Sequence, residues 1–365
     1  MDYNRLLLTL AAILPAAVLC IYIFKKDRAE KEPLGLLALL LGLGVAICYP
    51  AALAETVLDK IIDTIFIPFA TETENSYELG SFMFRIYNGV KYFLNVALVE
   101  EGFKFAALVL VTRKNKNFNS LFDGIIYAVF VSLGFAGFEN ILYVTNYGWI
   151  NAATRAVMSV PAHMFFSVMM GYYYSMWHMK VKARNLELNL KQYGVIPQNA
   201  PLYTYKKDIV MCLLVPILAH GLYDYCCTVD SGLATLVFYG FLIFMYIYCF
   251  GKVKKMSSMD MDDNRFASAM VAMKHPSYRE LLRERNNTIL NEQAKQQAYA
   301  YSQQTQYTAD PRYDTPAPAE NPVTGEEESF RIGGHYDIYG NDVLHQSTDT
   351  TPDRTDNFSN PTDGQ

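Results

Sequence analysis

A few ionisable residues sit inside otherwise apolar stretches of this chain, and their types and spacing suit proton transfer and cation binding. Glu100, Glu101 and Lys104 lie within Val99-Glu-Glu-Gly-Phe-Lys104, Glu139 follows Phe135-Ala-Gly-Phe, His163 stands alone, and His220 and Asp224 are four residues apart. In hydrocarbon a charged side chain costs several kcal/mol, so each such group is a functional candidate by default. Carboxylates and imidazoles are the groups that activate water, pass protons at neutral pH and ligate divalent cations. Glu100 and Lys104 are i,i+4 and Glu101 and Lys104 are i,i+3, so one lysine reaches either carboxylate on a helix face. His220 and Asp224 share a face by the same spacing. Four carboxylates against one lysine leave excess negative charge, to be relieved by protons, water or a bound cation.

Elements that could position these groups follow from hydropathy. Roughly 20 apolar residues cross a bilayer as helix. Seven windows qualify: Leu6–Phe24, Leu34–Ala54, Gly89–Val111, Leu121–Val144, Ala156–Trp177, Ile209–Thr228 and Leu233–Phe250. Ile61–Ala70 is too short and reads as an interfacial or re-entrant helix in the loop Glu55–Asn88. Lys and Arg concentrate after the first, third, fifth and seventh windows (Lys25 and Arg28, Arg113 and Lys114, Lys180 to Lys207, Lys252 to Lys255), while Glu72, Glu74 and Asp230 mark the opposite loops. Positive residues stay inside, so the N-terminus is expected outside and the C-terminus in the cytoplasm. The cationic cluster follows the first apolar run instead of preceding it, which reads as a reverse-oriented anchor and not a cleavable leader.

Depth then tests whether the charged groups belong together. At 1.5 Å per residue, Glu100 lies about 20 Å from the cytoplasmic end of its window, Glu139 about 27 Å, His220 about 17 Å and Asp224 about 22 Å. His163 lies about 10 Å below its outer end. These depths form one layer between the midplane and the outer third, as a shared polar chamber requires. Pro216, one turn before His220, frees a carbonyl and can kink that helix. His178 falls at a cytoplasmic helix end and is left out.

The chain has 365 residues, 52% hydrophobic, with a formal net charge of -5. The apolar runs end near residue 250, which excludes a uniform soluble globule and a disulfide-stapled domain. No basic stripe rises above loop charges, so nucleic acid is not an expected partner. The six cysteines fall within the spans and read as small packing residues. The expected organisation is an all-α polytopic bundle over 1–250, with the motifs in 89–228, and a mostly disordered cytoplasmic tail over 251–365. In the tail only Asn264–Lys295 has an amphipathic helical pattern.

The ordered set E-E-x-x-K at Glu100–Lys104, F-x-x-x-E at Phe135–Glu139 followed by Asn140, then His163, then H-x-x-x-D at His220–Asp224, resembles the PrsW family of intramembrane proteases. That family is similar in turn to the CAAX prenyl endopeptidases. The resemblance implies peptide-bond hydrolysis in a cell-membrane multi-pass enzyme of bacterial type. It implies Glu100 as the base activating water, with Glu139, where the CAAX enzymes have His, holding that water. His220 and Asp224 would stabilise the oxyanion, and Lys104 would neutralise and orient Glu101. It also implies a single-span, anti-sigma-factor-like substrate in the bilayer, cut near its extracytoplasmic side. His163, His220 and Glu139, with Asp224 or Glu100, form an adequate Zn²⁺ set, so metal-free and zinc-dependent chemistry both fit. A proton-coupled transporter would use similar midplane groups, but the spans show no internal repeat. A catalytically dead scaffold is disfavoured because every motif position is filled.

Overall fold

The computed structural model describes residues 3–28, 30–72, 77–229 and 231–308. Glu74, Asp230 and residues 309–365, which carry part of the charge and tail argument, lie outside the described residues. The chain forms an all-α polytopic membrane protein, with one short hairpin.

In order, α1 spans Tyr3–Lys26, α2 Leu34–Phe66, β1 Ala70–Glu72, β2 Tyr77–Leu79, α3 Ser81–Val90, α4 Leu98–Thr112, α5 Asp123–Val157, α6 Ser159–Gln192, α7 Lys206–Thr228, α8 Gly232–Ser258, α9 Asp263–Lys274 and α10 Pro276–Thr308. β1 and β2 pair antiparallel with Ala70 opposite Leu79. Among the described residues, five stretches are long and apolar enough to cross a bilayer: Tyr3–Lys26, Leu34–Phe69, Asp123–Gln192 (α5 with α6), Lys206–Thr228 and Gly232–Ser258. The window expected at Gly89–Val111 is helical but composite, because a π-helical stretch, Lys91–Ala97, joins α3 to α4.

Two expectations need correcting. Ile61–Phe66 is not a separate interfacial helix; it is the last part of α2. Nothing between Ala51 and Ile67 breaks a helix, and termination waits for Pro68, which has no N–H to donate. The single amphipathic helix read at Asn264–Lys295 is two helices, residues 263–274 and 276–308, divided at His275. The run Arg279–Lys295 is dense in Glu, Arg, Leu, Gln and Ala, strong helix formers that need no core to favour this local structure. Chain contacts separate a bundle unit, residues 1–193 with 198–268, from a second unit, residues 194–197 with 269 onward.

In the bundle, α5 is the central helix. Residues Asp123–Gly137 are all buried, so this stretch meets other helices on every side. Lipid tails are as apolar as leucine, so close backbone approach holds such a bundle together. A Cβ on Gly44 would lie 2.0 Å from the Val131 carbonyl oxygen, and one on Gly134 would lie 2.1 Å from that of Leu41. On the opposite face, a Cβ on Gly171 would lie 2.3 Å from the Gly124 carbonyl oxygen. Glycine is therefore required on both seams, α2–α5 and α5–α6.

A polar lacing closes the end of the bundle that carries the α1–α2 turn. Asp27 accepts from the Glu32 N–H at 3.1 Å, and Tyr127 on α5 donates to Glu32 Oε2 at 2.6 Å. Asp123 accepts from the Asn119 and Ser120 N–H groups at 2.8 and 2.6 Å. Asp260, beyond α8, accepts from the Phe122 N–H at 3.0 Å. Burial pushes the Glu32 carboxyl up to about 8 and that of Asp27 up to about 6.

Candidate active site

The bundle brings every candidate group to one place, and His178, left out of the set, lies elsewhere. His178 faces Asp263 at 3.1 Å, near the start of α9. The remaining groups come from α4, α5, α6 and α7.

Lys104 is the centre of the arrangement. Its side chain is 1% exposed, and Nζ donates to Glu100 Oε2 at 2.9 Å and to Glu101 Oε1 at 2.8 Å. A third contact, 3.2 Å, reaches His163 Nδ1 on α6. An ammonium has three donors and no acceptor, so these three partners use it fully. With Lys104 donating, the network assigns the His163 proton to Nε2, which lies 3.0 Å from Glu139 Oε2. The ammonium also lies 4.3 Å from the centre of the Phe135 ring, a cation–π contact.

His220 stands between two carboxylates: Nδ1 is 3.0 Å from Glu101 Oε1 and Nε2 is 3.3 Å from Asp224 Oδ2. Phe166 stacks on its ring at 4.9 Å between centroids, and the His163 ring meets it edge-on at 5.3 Å. The His163 backbone carbonyl accepts from Ser132 and Ser167 hydroxyls at 2.9 and 3.0 Å, holding α6 against α5 at this level. Glu101 Oε2 is buried with no hydrogen-bond partner among the described residues.

Local backbone features aim these groups. The π-helical stretch before α4 widens one turn just ahead of Glu100, and such bulges are frequent at functional sites. Gly148, at φ +79°, breaks α5 and folds its last turns back over the chamber.

A cavity of about 820 Å³ opens onto the cluster. Glu100, Glu139, His163, His220 and Asp224 line it, and Glu55, Asp59, Lys91 and Arg155 stand around the same space. Cys48, Cys226 and Cys227 are also on its wall, and all six cysteines are free thiols.

Sequence reasoning missed Arg155. It looked like one cation in a short outer turn. The fold-back at Gly148 carries its Nη2 to 3.1 Å from Glu139 Oε2 and its Nε to 2.8 Å from Asn140 Oδ1. Asn140 in turn donates from Nδ2 to the Ala12 carbonyl at 2.8 Å. The available signal was the Gly148 break between Glu139-Asn140 and an arginine some four turns later. Glu55 and Asp59 were missed because their loop placement rested on a span ending at Ala54, and Lys91 because it stood at the very start of the third window.

The donor set also fits a divalent cation. Glu100, His163 and His220 each offer a ligand atom, and these atoms lie within 4.8 Å of one another. Two imidazoles and a carboxylate are a known catalytic zinc set. Each imidazole has a carboxylate on Nε2, Glu139 for His163 and Asp224 for His220, the usual support of metal-ligating histidines, while the Nδ1 atoms left to a cation are held by Lys104 and Glu101. Glu139 and Asp224, named as ligands from the sequence, stand one layer back from this set.

A helical membrane bundle enclosing paired carboxylates, imidazoles and a buried lysine is the architecture of a membrane-embedded hydrolase. Residues 32–250 match the family model described as PrsW family intramembrane metalloprotease. Protease PrsW of Oceanobacillus iheyensis is 31% identical over 245 residues, covering 67% of this chain and 94% of the relative. Protease PrsW of Bacillus subtilis is 30% identical, with 69% and 96% covered, and that of Clostridioides difficile is 30% identical, with 69% and 92% covered. No solved structure matches the chain. The chain belongs to the PrsW family of intramembrane proteases, and it is a peptidase.

Proposed function

We propose that this peptidase hydrolyses a bond of a membrane-anchored, single-span protein near the extracytoplasmic face, with Glu100 activating the water. The observation that carries this reading is the convergence of Glu100, His163 and His220 on the wall of one cavity of about 820 Å³, with Lys104 behind them. Glu100 takes a proton from water as its oxygen bonds to the scissile carbonyl carbon. The proton then passes to the leaving nitrogen as the C–N bond breaks. Lys104 balances Glu100 and Glu101, and Glu139 with His163 holds the water in line. His220, oriented through Nδ1 by Glu101, donates to the developing oxyanion from Nε2, which it shares with Asp224 at 3.3 Å. The N-out orientation, with the Glu55–Asn88 segment and Arg155 on the outer side, supports a cut on that face. An anti-sigma-factor-like substrate in a bacterial plasma membrane is the expectation that the family resemblance brings.

The metal-dependent reading rests on the same three donors. A Zn²⁺ held by Glu100, His163 and His220 would supply Lewis-acid polarisation and a more acidic water. Glu139 and Asp224 would then orient the imidazoles, and Lys104 would serve Glu101.

Both readings meet one experiment: N-terminal proteomics of shed ectodomains in cells expressing the wild-type chain or Glu100→Gln. Ectodomains that vanish with Glu100→Gln, while the variant remains inserted at wild-type level, are the expected result. Shedding that persists unchanged removes Glu100 from the chemistry. Treating the solubilised enzyme with a chelator and then restoring zinc separates the two mechanisms, since activity unaffected by rigorous metal removal leaves only the glutamate one.

A further inference from the structure

We propose that Arg155 is a substrate-binding residue whose guanidinium donates to a backbone carbonyl oxygen beside the scissile bond. This rests on the proteolytic reading of the Glu100 chamber.

Three contacts fix the guanidinium before any ligand arrives. Nε donates to Asn140 Oδ1 at 2.8 Å, Asn140 is itself anchored on α1 through the Ala12 carbonyl, and the guanidinium carbon sits 4.2 Å from the centre of the Tyr143 ring. Its fork therefore has one orientation. Nη2 is ion-paired with Glu139 Oε2 at 3.1 Å, yet it is buried and makes no well-aligned hydrogen bond among the described residues. A buried donor without an acceptor is costly and uncommon in a folded protein. Arg155 is one of the residues lining the cavity that also holds Glu100, Glu139 and His220, and its side chain keeps 12% exposure there. A ligand supplying an oxygen would satisfy that donor.

Charge selects the kind of oxygen. Glu139 already balances the guanidinium, and Glu55, Asp59, Glu100 and Asp224 line the same space. An anionic ligand would meet this excess of carboxylates, whereas a neutral amide carbonyl would not. Carbonyls inside a helix are committed to their own N–H partners, and those of an extended segment are free. Arg155 thus favours a substrate already unwound at the cut.

The test uses the full-length chain in membranes with a single-span reporter. The reporter carries the juxtamembrane segment of an ectodomain whose shedding depends on Glu100. Cleavage is followed at limiting and at saturating reporter levels for Arg155→Lys, Arg155→Gln and Asn140→Ala, each normalised to inserted protein. Both arginine variants should lose about tenfold at limiting reporter, the scale of one charged hydrogen bond, and recover towards wild type at saturation. Asn140→Ala, which frees the fork without changing charge, should show a smaller loss of the same form. Wild-type cleavage by Arg155→Lys at limiting reporter would overturn the proposal, because a charge beside Glu139 would then suffice. An equal loss at both levels would also overturn it, since the residue would then act in the chemical step. If no Glu100-dependent ectodomain exists, the failure appears in the wild type, before any Arg155 variant is compared, and the proteolytic reading falls first.

Discussion

Replacing Lys104 with methionine tests the electrostatic design of the chamber most directly. The substitution keeps an unbranched apolar stem, one atom shorter, and removes the charge and the donors. Three contacts vanish, to Glu100, Glu101 and His163. Glu101 is fully buried and Glu100 is 7% exposed, so water cannot replace the lost ammonium. Removing one partner of a buried ion pair costs about 3–5 kcal/mol, because the remaining charge stays uncompensated. Here two carboxylates are left, and the upper part of that range is expected. Unfolding of the full chain in nanodiscs by denaturant or heat reads this loss. Adding Glu101→Gln to Lys104→Met removes one of the stranded charges, and the double variant should recover by roughly 1–3 kcal/mol relative to the sum of the singles. Cleavage should fall by about 10²-fold or more, the typical share of a positioned general base. Wild-type stability for Lys104→Met, or strictly additive effects in the double variant, would refute the reasoning, since the lysine would not be the counter-charge of this layer.

Gly134→Ala places a Cβ 2.1 Å from the Leu41 carbonyl oxygen and should destabilise the bundle by about 1–3 kcal/mol or more, while Gly42→Ala, with open space around it, should be neutral; denaturant midpoints of the two variants compare them. Glu32 gives a pH signature. Its carboxyl is raised by burial from 4.5 to about 8, so the folded state holds the proton more tightly than the unfolded chain. That contribution to stability is complete below about pH 4.5 and is lost as pH rises through about 8. Melting temperature should therefore decline across this window, and Glu32→Gln should flatten the decline; an unchanged slope in the variant would assign it to other groups.

The site was readable because membrane burial makes ionisable residues conspicuous. Glu100, Glu101, Lys104, Glu139, His163, His220 and Asp224 stood out by type, and helical rise placed them at one depth before any contact was known. What the sequence hid were features whose signal is geometric. Glu55 and Asp59 became wall residues only because α2 continues past its apolar window. The π-helical stretch at Lys91–Ala97 has no residue signature, since its extra residue per turn is set by packing. Arg155 depends on a break at Gly148 that reverses the chain. The amphipathic pattern at Asn264–Lys295 marked the helices at 263–274 and 276–308, but their division at His275 and the polar extension past Lys295 were hidden.

The glycine seams have a mechanical consequence. Along α2–α5 and α5–α6 main chain rests on main chain, leaving no compressible side chain between the rods. On the other side of the cavity, α7 and α8 meet through rings, with Tyr223 against Phe238 at 5.1 Å between centroids, and rings can swing aside by rotating a torsion. The molecule thus behaves as a stiff three-helix spine with a softer flank. A polypeptide strand arriving from the lipid meets least resistance at that flank. Glu139 and His163 ride on the spine and keep their spacing, whereas His220 and Asp224 belong to α7 and shift whenever the flank gives.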